Sequence, residues 1–221
     1  MNESLLDDIK LQLAQGEHIS QDFKLTISDT KKIARTLAAF ANTVGGKLWI
    51  GVKDNGKIKG CKAQEELYMI EMAADRYCQK PIEFSANIYD LPKDQLLEII
   101  VEPSAEVHRA PDDKMEYRAY ARQDDNTVWV SSAVYKSWVY KKNYKKKGKW
   151  TFSNHEQLLF LFLRENDGIS LNQFARMCDL PRRKAEDIIV KLLVWKVLTW
   201  KNEDDKVLYC LGIDPNLDDE D

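Results

Sequence analysis

The stretch Ala39–Gly60, AFANTVGGKLWIGVKDNGKIKG, decides the fold of the first part of the chain. Its apolar residues first repeat at helical spacing, continuing a pattern that begins upstream, until Gly45-Gly46 ends the helix. Residues 47–53 then alternate apolar and other side chains as in a strand, and Asn55-Gly56 is a favoured two-residue hairpin turn. We therefore expect a helix, a strand and a hairpin whose return strand covers residues 58–61.

The helix in this stretch has a second, polar face. Ser28 and Asp29 precede it and are suitable N-cap residues. At about 100° per residue, three polar side chains fall on one stripe opposite the apolar face. They are Lys31, Arg35 and Asn42. We expect this stripe to face solvent or a ligand.

Working outward, the first part of the chain alternates helical and strand patterns. Predicted helices cover residues 2–15, 64–77 and 131–143, and predicted strands cover residues 19–25, 82–89, 96–102, 117–122 and 127–130. In the strand 117–122, alternation puts Arg118, Tyr120 and Arg122 on one face. Two cations beside an aromatic ring suit phosphate contact with base stacking, although an exposed strand decorated for solubility has the same pattern.

The pattern changes after residue 151 to three helices followed by a hairpin. We therefore expect a first domain over residues 1–140, a linker over 141–150, a second domain over 151–213 and a disordered acidic tail over 214–221. The linker concentrates six lysines, which either attract phosphates or are merely solvated. Residues 1–150 hold 24 Lys and Arg against 22 Asp and Glu, whereas residues 151–221 hold 9 against 14. The net charge of −3 thus hides a slightly basic first part.

The scattered cysteines and histidines argue against disulfides and a zinc site. Cys61, Cys78, Cys178 and Cys210 form no CxxC pair, and the three histidines are dispersed. No stretch approaches the roughly 20 apolar residues of a membrane helix, and Met1–Lys10 is acidic where a signal peptide would be basic. We expect a cytoplasmic protein with reduced thiols, no membrane partner, no resident metal and no cofactor.

Three segments of the first part resemble the Schlafen-type AlbA-like family, also called divergent AAA-type. They are Gln21 to Lys24 (QDFK), Ile33 to Phe40, and the stretch AFANTVGGKLWIGVKDNGKIKG. The resemblance covers about residues 15–130. It implies nucleic-acid binding and, in bacterial members, coupling to a C-terminal helix-turn-helix. ATP binding has also been inferred for the family, but the chain has no GxxxxGK[ST] loop to cradle phosphates.

The second domain resembles the winged-helix family over roughly residues 152–212. The resemblance rests on the order of three helices, a tight turn and a hairpin. It implies that the third helix enters the major groove, with Arg182, Arg183 and Lys184 near base edges. Acidic Glu186, Asp187 and the 203–205 turn oppose this interpretation, and winged helices also dock proteins.

Some Schlafen proteins are metal-dependent ribonucleases with three carboxylates, and the resemblance places these at Glu17, Asp22 and Asp54, beside Lys24. Such a set would hold Mg²⁺ or Mn²⁺. The pattern departs from the family because an aspartate stands at position 22 and because Glu17 must lie on the turn before the strand to reach Asp22.

The sequence thus predicts a mixed α+β fold class, with an AlbA-like α/β domain and a small winged-helix domain. The predicted function is nucleic-acid binding, with DNA favoured over RNA, in a homo-oligomeric transcriptional regulator, which is favoured over an enzyme. The expected contacts are Lys24, Lys31, Arg35, Asn42, Arg118, Arg122, Arg182, Arg183 and Lys184. The alternatives are a metal-dependent endoribonuclease, an ATP-binding protein and a protein-interaction module.

Overall fold

The computed structural model describes residues 3–141, 152–204 and 206–212. The chain divides into two compact units, Met1–Trp129 and Val130–Asp221. The second unit begins before the predicted domain boundary, because the helix at 132–141 packs against another helix of that unit. The acidic tail and all of the lysine-rich linker after residue 141 lie outside the described residues.

The first unit is a mixture of helices and short strands. Its helices are α1 (Glu3–Leu13), α2 (Thr30–Asn42) and α3 (Ala63–Arg76). Its strands are β1 (Gln21–Lys24), β2 (Gly46–Ile50), β3 (Ser85–Asp90), β4 (Gln95–Val101), β5 (Arg109–Pro111), β6 (Tyr117–Gln123) and β7 (Asn126–Trp129). Together with the second unit, these elements confirm the predicted mixed α+β class.

The strands form one sheet in the order β1-β2-β4-β3 and another in the order β5-β6-β7. Strands β1 and β2 are parallel, whereas β2-β4 and β3-β4 are antiparallel. The predicted hairpin partner at residues 58–61 is therefore wrong, because β2 pairs with β4. Gly51, at a φ of +94°, turns the chain out of β2, and a single bridge between Val52 and Ile58 remains.

Helix α2 is the centre of the first unit. The Asp29 side chain caps it, accepting hydrogen bonds from the backbone N–H of Lys31 at 2.9 Å and of Lys32 at 3.2 Å, as the sequence predicts. Its apolar face is fully buried among side chains from α3 and from both sheets. Burial of this helix therefore joins the two sheets into one core.

Strand β2 is covered on both faces. Leu48 and Ile50 pack into the cluster around α2, while Trp49 packs on the opposite face against Leu13 of α1 and Phe23 of β1. Val52 lies with Trp49 rather than with Leu48, because the backbone at Gly51 breaks the strand alternation. A strand buried on both faces has no solvent side, so its sequence shows few polar residues.

The second unit contains four helices and a hairpin among its described residues. They are α4 (Ser132–Lys141), α5 (Asn154–Glu165), α6 (Leu171–Met177), α7 (Arg182–Val194), β8 (Leu198–Glu203) and β9 (Lys206–Leu211). The three helices and hairpin after residue 151 appear in the predicted order. Helix α4 packs on α7, and the backbone of Ile169 pairs with that of Tyr209 in β9.

Glu186 of α7 points into the second unit rather than toward solvent. Its buried carboxylate accepts hydrogen bonds from the Ser132 hydroxyl and, at 2.7 Å, from the Lys136 ammonium of α4. Burial acts to raise the pKa of Glu186, but these two donors hold it below its ordinary value. Glu186, which in the sequence argued against a nucleic-acid role for α7, is thus paired with a cation inside the unit.

No helix among the described residues is long and apolar enough to cross a lipid bilayer.

Two glycines with positive φ give a test of the fold. Gly51→Ala is expected to lower the free energy of unfolding by about 3 kcal/mol, because its Cβ would lie 3.0 Å from the Gly60 backbone in a left-handed conformation. Gly16→Ala, at a φ of +76° with open space around the new Cβ, should lose only about 1–2 kcal/mol. Urea unfolding of both variants measures the difference, and equal losses would contradict the close approach at Gly51.

Candidate functional site

The loop before β1 is held in place by Gln21. Its side-chain amide donates to the carbonyl oxygens of Gln12 at 3.0 Å and Gly16 at 2.8 Å, and its carbonyl accepts from the Trp49 indole at 3.2 Å. This side chain fixes the end of α1 against the start of β1. Residues 17–20 therefore turn back over the strand, which is the geometry that lets Glu17 reach Asp22.

Glu17 and Asp22 form a carboxyl pair at the edge of the first sheet. Glu17 accepts a 2.8 Å hydrogen bond from the Phe23 backbone, and its carboxyl group faces that of the buried Asp22. Burial, followed by the hydrogen bond to Asp22, raises the pKa of Glu17 to about 7. The pair therefore holds a proton at mildly acidic pH.

Two cations accompany the pair. The Lys24 ammonium lies 3.0 Å from an Asp22 oxygen and 3.9 Å from a Glu17 oxygen. The Arg122 guanidinium is buried, donating at 3.1 Å to both the His18 carbonyl and the Thr127 hydroxyl. Burial lowers the pKa of Arg122, while the charges of Asp22 and Glu17 oppose that shift. The site thus places two carboxyl groups beside two cations.

Asp54 does not join this cluster. It is exposed in the turn after β2 and has no hydrogen bond or ion pair with either carboxylate. In the part of the chain that the structure describes, no three His, Cys, Asp or Glu side chains are grouped to hold a metal ion. The residues present therefore do not fit the three-carboxylate metal site that the family resemblance implies, and Lys24 already neutralises the pair.

The predicted polar stripe on α2 is mostly used inside the unit. The Asn42 amide donates to the His108 and Tyr120 carbonyls at 2.9 Å each and accepts from the His108 backbone at 2.8 Å. The Arg35 guanidinium donates to the Pro111 carbonyl at 2.7 Å and pairs with Asp113 at 2.6 Å. The expected free stripe is therefore not formed. Of its three side chains, Lys31 is the one without such a bond to the described residues.

The arginines of β6 are also engaged. Arg118 forms ion pairs with Asp112 at 2.9 Å and Glu116 at 3.0 Å, and its guanidinium lies 5.9 Å from the Trp129 ring centroid. Arg122 lies over the Phe40 ring at 5.2 Å instead of on an exposed face. The predicted exposed trio of Arg118, Tyr120 and Arg122 is therefore not formed, because Tyr120 and Arg122 belong to the interior.

The three predicted cations of the second unit are exposed. Arg182, Arg183 and Lys184 form the first turn of α7, and none takes part in an ion pair within the described ranges. Arg182 makes one 3.3 Å hydrogen bond to the Asn172 side chain of α6. Pro181 is the N-cap residue of α7, and no side chain caps the helix there.

Sequence reasoning missed the internal roles of Asn42, Arg35 and Glu186. Their partners lie on elements far away in sequence, and helical spacing does not report such partners. Arg122 was missed in the same way, since residues 119–122 of β6 are all buried and no local pattern reports that burial.

The carboxyl pair gives a pH prediction. Because the folded pKa of Glu17 is raised to about 7, the folded state keeps a proton that the unfolded state releases near 4.5. The contribution of Glu17 to stability is therefore greatest below pH 4.5 and declines as pH rises to about 7. Urea unfolding between pH 5 and 8 should show this decline in the native protein and a flatter profile in Glu17→Gln.

The exposed Glu65, which pairs with Lys62 at 3.1 Å, supplies the matched control, and Glu65→Gln should keep the native pH profile. A Glu17→Gln variant that retains the full decline would show that the two carboxyl groups do not share a proton.

Comparison with known proteins identifies the first unit. Residues 17–131 match the family model described as Schlafen, AlbA_2. Matching solved structures include the DIP2311 protein from Corynebacterium diphtheriae, with 20% identity, a TM-score of 0.43, and coverage of 61% of this chain and 27% of that one. They also include the N-terminal domain of a RecG-related protein from Nitrosomonas europaea, with 15% identity, a TM-score of 0.38, and coverage of 67% and 94%.

The chain thus spans just over a quarter of the first of these structures. No curated protein matches it in sequence. Since the family model covers residues 17–131, which is more than half of the chain, the protein belongs to the Schlafen AlbA_2 family.

Proposed function

We propose that this protein binds nucleic acid and acts as a DNA-binding transcriptional regulator. Membership of the Schlafen AlbA_2 family supports the nucleic-acid part of the proposal. The observation that carries the DNA part is the first turn of α7, where three exposed cations form no ion pair among the described residues. Phosphate contacts by such cations supply most of the affinity of DNA-binding proteins.

The arrangement around α7 supports a winged-helix interpretation of the second unit. Helix α6 is capped by Ser170, which accepts a 3.3 Å hydrogen bond from the Gln173 backbone, and a short turn with Asp179 at a φ of +50° leads into α7. The β8-β9 hairpin follows α7 directly. In this interpretation α7 enters the major groove and the hairpin is the wing.

The buried pairing of Glu186 strengthens the case for α7. Glu186 is directed at Ser132 and Lys136, so its charge does not repel a phosphate at the exposed face. Asp187 remains exposed in the second turn of α7. The first turn therefore keeps a net positive exposed surface. A homo-oligomer, which would place two copies of α7 on one duplex, stays a prediction.

Replacing Arg183 and Lys184 with alanine should weaken binding to duplex DNA. Arg182 is left in place so that its contact with Asn172 is preserved. If both cations contact phosphates, the slope of log K against log salt concentration should become less negative by about 2. Fluorescence anisotropy with a labelled duplex, from about 50 to 200 mM salt, measures this change.

Arg164→Ala with Lys196→Ala is the matched control, because these exposed residues carry the same charge in the same unit outside α7. Native binding with an unchanged slope in the α7 variant would reject this surface as the contact. Absence of native binding to any polynucleotide at low salt would reject the proposed function and favour a protein-interaction module.

Metal-dependent ribonuclease activity is the second candidate, and one observation favours it: the Glu17 and Asp22 carboxyl groups face each other at a sheet edge. Lys24 as their counter-ion and the separate position of Asp54 weigh against it. We therefore expect structured RNA to remain intact when the protein is incubated with Mn²⁺. Cleavage that disappears in Asp22→Asn would restore the nuclease as the function.

A further inference from the structure

The loop between β2 and α3, residues 51–60, carries a concentration of lysines that the proposed function does not use. Lys53, Lys57 and Lys59 are all exposed. Within residues 3–141 none of them takes part in an ion pair, whereas Lys10, Lys62 and Lys80 each pair with a carboxylate. The acids beside them are Asp54, in the same loop, and Asp94, whose side chain packs against Gly60.

The loop is anchored at both ends and at its tip. At the base, the N–H groups of Lys59 and Gly60 both donate to the Gly51 carbonyl, at 2.8 and 2.9 Å. At the tip, a Cβ on Gly56 would lie 3.0 Å from the Leu13 carbonyl, so this turn packs directly on the end of α1. These contacts fix the backbone and reduce the entropy lost when the lysines bind a ligand.

The side chains of the loop divide into an inner and an outer set. Val52 is fully buried and Ile58 packs with it against Trp49 and Leu96. The lysines at positions 53, 57 and 59 alternate with these apolar residues and remain exposed. The inner residues therefore hold the loop on the core, and the outer residues present three ammonium groups to solvent.

The loop begins beside Lys24. The backbone N–H groups of Gly51 and Val52 donate to the Lys24 carbonyl at 2.9 and 3.2 Å. The lysine loop thus lies at the carboxyl end of the parallel strands β1 and β2. Ligands of open sheets with parallel strands commonly bind at this end.

The backbone N–H groups of this loop are not arranged to bind a nucleotide phosphate. Residues 51–58, GVKDNGKI, match a phosphate-binding P-loop except that Ile58 stands where a hydroxyl residue should bind Mg²⁺. The N–H groups of Lys53, Gly56 and Lys57 are already bonded, to the Lys57 carbonyl, the Lys53 carbonyl and the Asn55 side chain. The lysine side chains are therefore its means of binding phosphate.

We propose that Lys53, Lys57 and Lys59 form a second nucleic-acid contact, in which the first unit binds the phosphate backbone without reading bases. This inference rests on the proposed function, because it names a further contact for the same class of ligand. Ammonium groups on a fixed loop neutralise successive phosphates through charge alone, and they release counterions in doing so.

The test uses the full-length chain with Lys57→Gln and Lys59→Gln combined. Its matched control combines Lys62→Gln and Lys80→Gln, which removes the same charge from lysines already paired with Glu65 and Glu106. Salt-dependent binding to duplex DNA is measured by anisotropy, and thermal melting confirms that both variants are folded. The loop variant should flatten the slope of log K against log salt by about 2, with the control unchanged.

The outcomes separate the two proposals. If the native protein binds DNA and the α7 variant is impaired while the loop variant keeps the native slope, only the lysine loop is rejected. Equal flattening by the loop variant and its control would also reject the loop, since net charge alone would explain it. If the native protein binds no polynucleotide, the proposed function and the loop contact both fall.

Discussion

The first unit depends on the side-chain amide of Asn42. This one group satisfies two backbone carbonyls and one backbone N–H of the β5 and β6 segments, at the end of a helix whose other side is buried. Unpaired backbone groups in the interior are costly, so loss of this amide would weaken the attachment of the second sheet to α2. The adjacent Thr43 hydroxyl accepts from the Arg122 backbone at 3.1 Å and so extends the same attachment along β6.

That attachment explains the character of the carboxyl site. Once β6 is fixed on α2, Arg122 enters the interior over Phe40 and its guanidinium meets the carbonyls that precede β1. Its charge then stands near Glu17 and Asp22, and Lys24 pairs with Asp22. Buried charges are costly without partners, and the carboxyl groups of this cluster have cations of their own unit beside them. The geometry of this cluster is therefore explained as well by a stable sheet edge as by a binding site.

The sequence predicted local features well and long-range ones poorly. Helix α2, its Asp29 cap and its end near Gly45-Gly46 follow from spacing and backbone preference, which are properties of neighbouring residues. The partner of β2 was wrong, because an Asn-Gly turn indicates a hairpin while the conformation at Gly51 prevents one. Arg35 and Asn42 could not be assigned, because periodicity identifies a polar face without revealing which distant backbone covers it.

The positions of the cations without partners determine which surfaces of each unit can bind phosphate. The sequence predicts Arg35, Arg118 and Arg122 as contacts. Their guanidinium groups instead bond to carbonyls and carboxylates of their own unit. A phosphate would have to displace those partners, so binding it would give up hydrogen bonds and ion pairs already formed within the unit. Cations without such partners require no exchange. Those on the first turn of α7 and on the loop after β2 are grouped on exposed backbone within the described residues, so we expect nucleic-acid affinity from these two surfaces and not from the arginines of the first core.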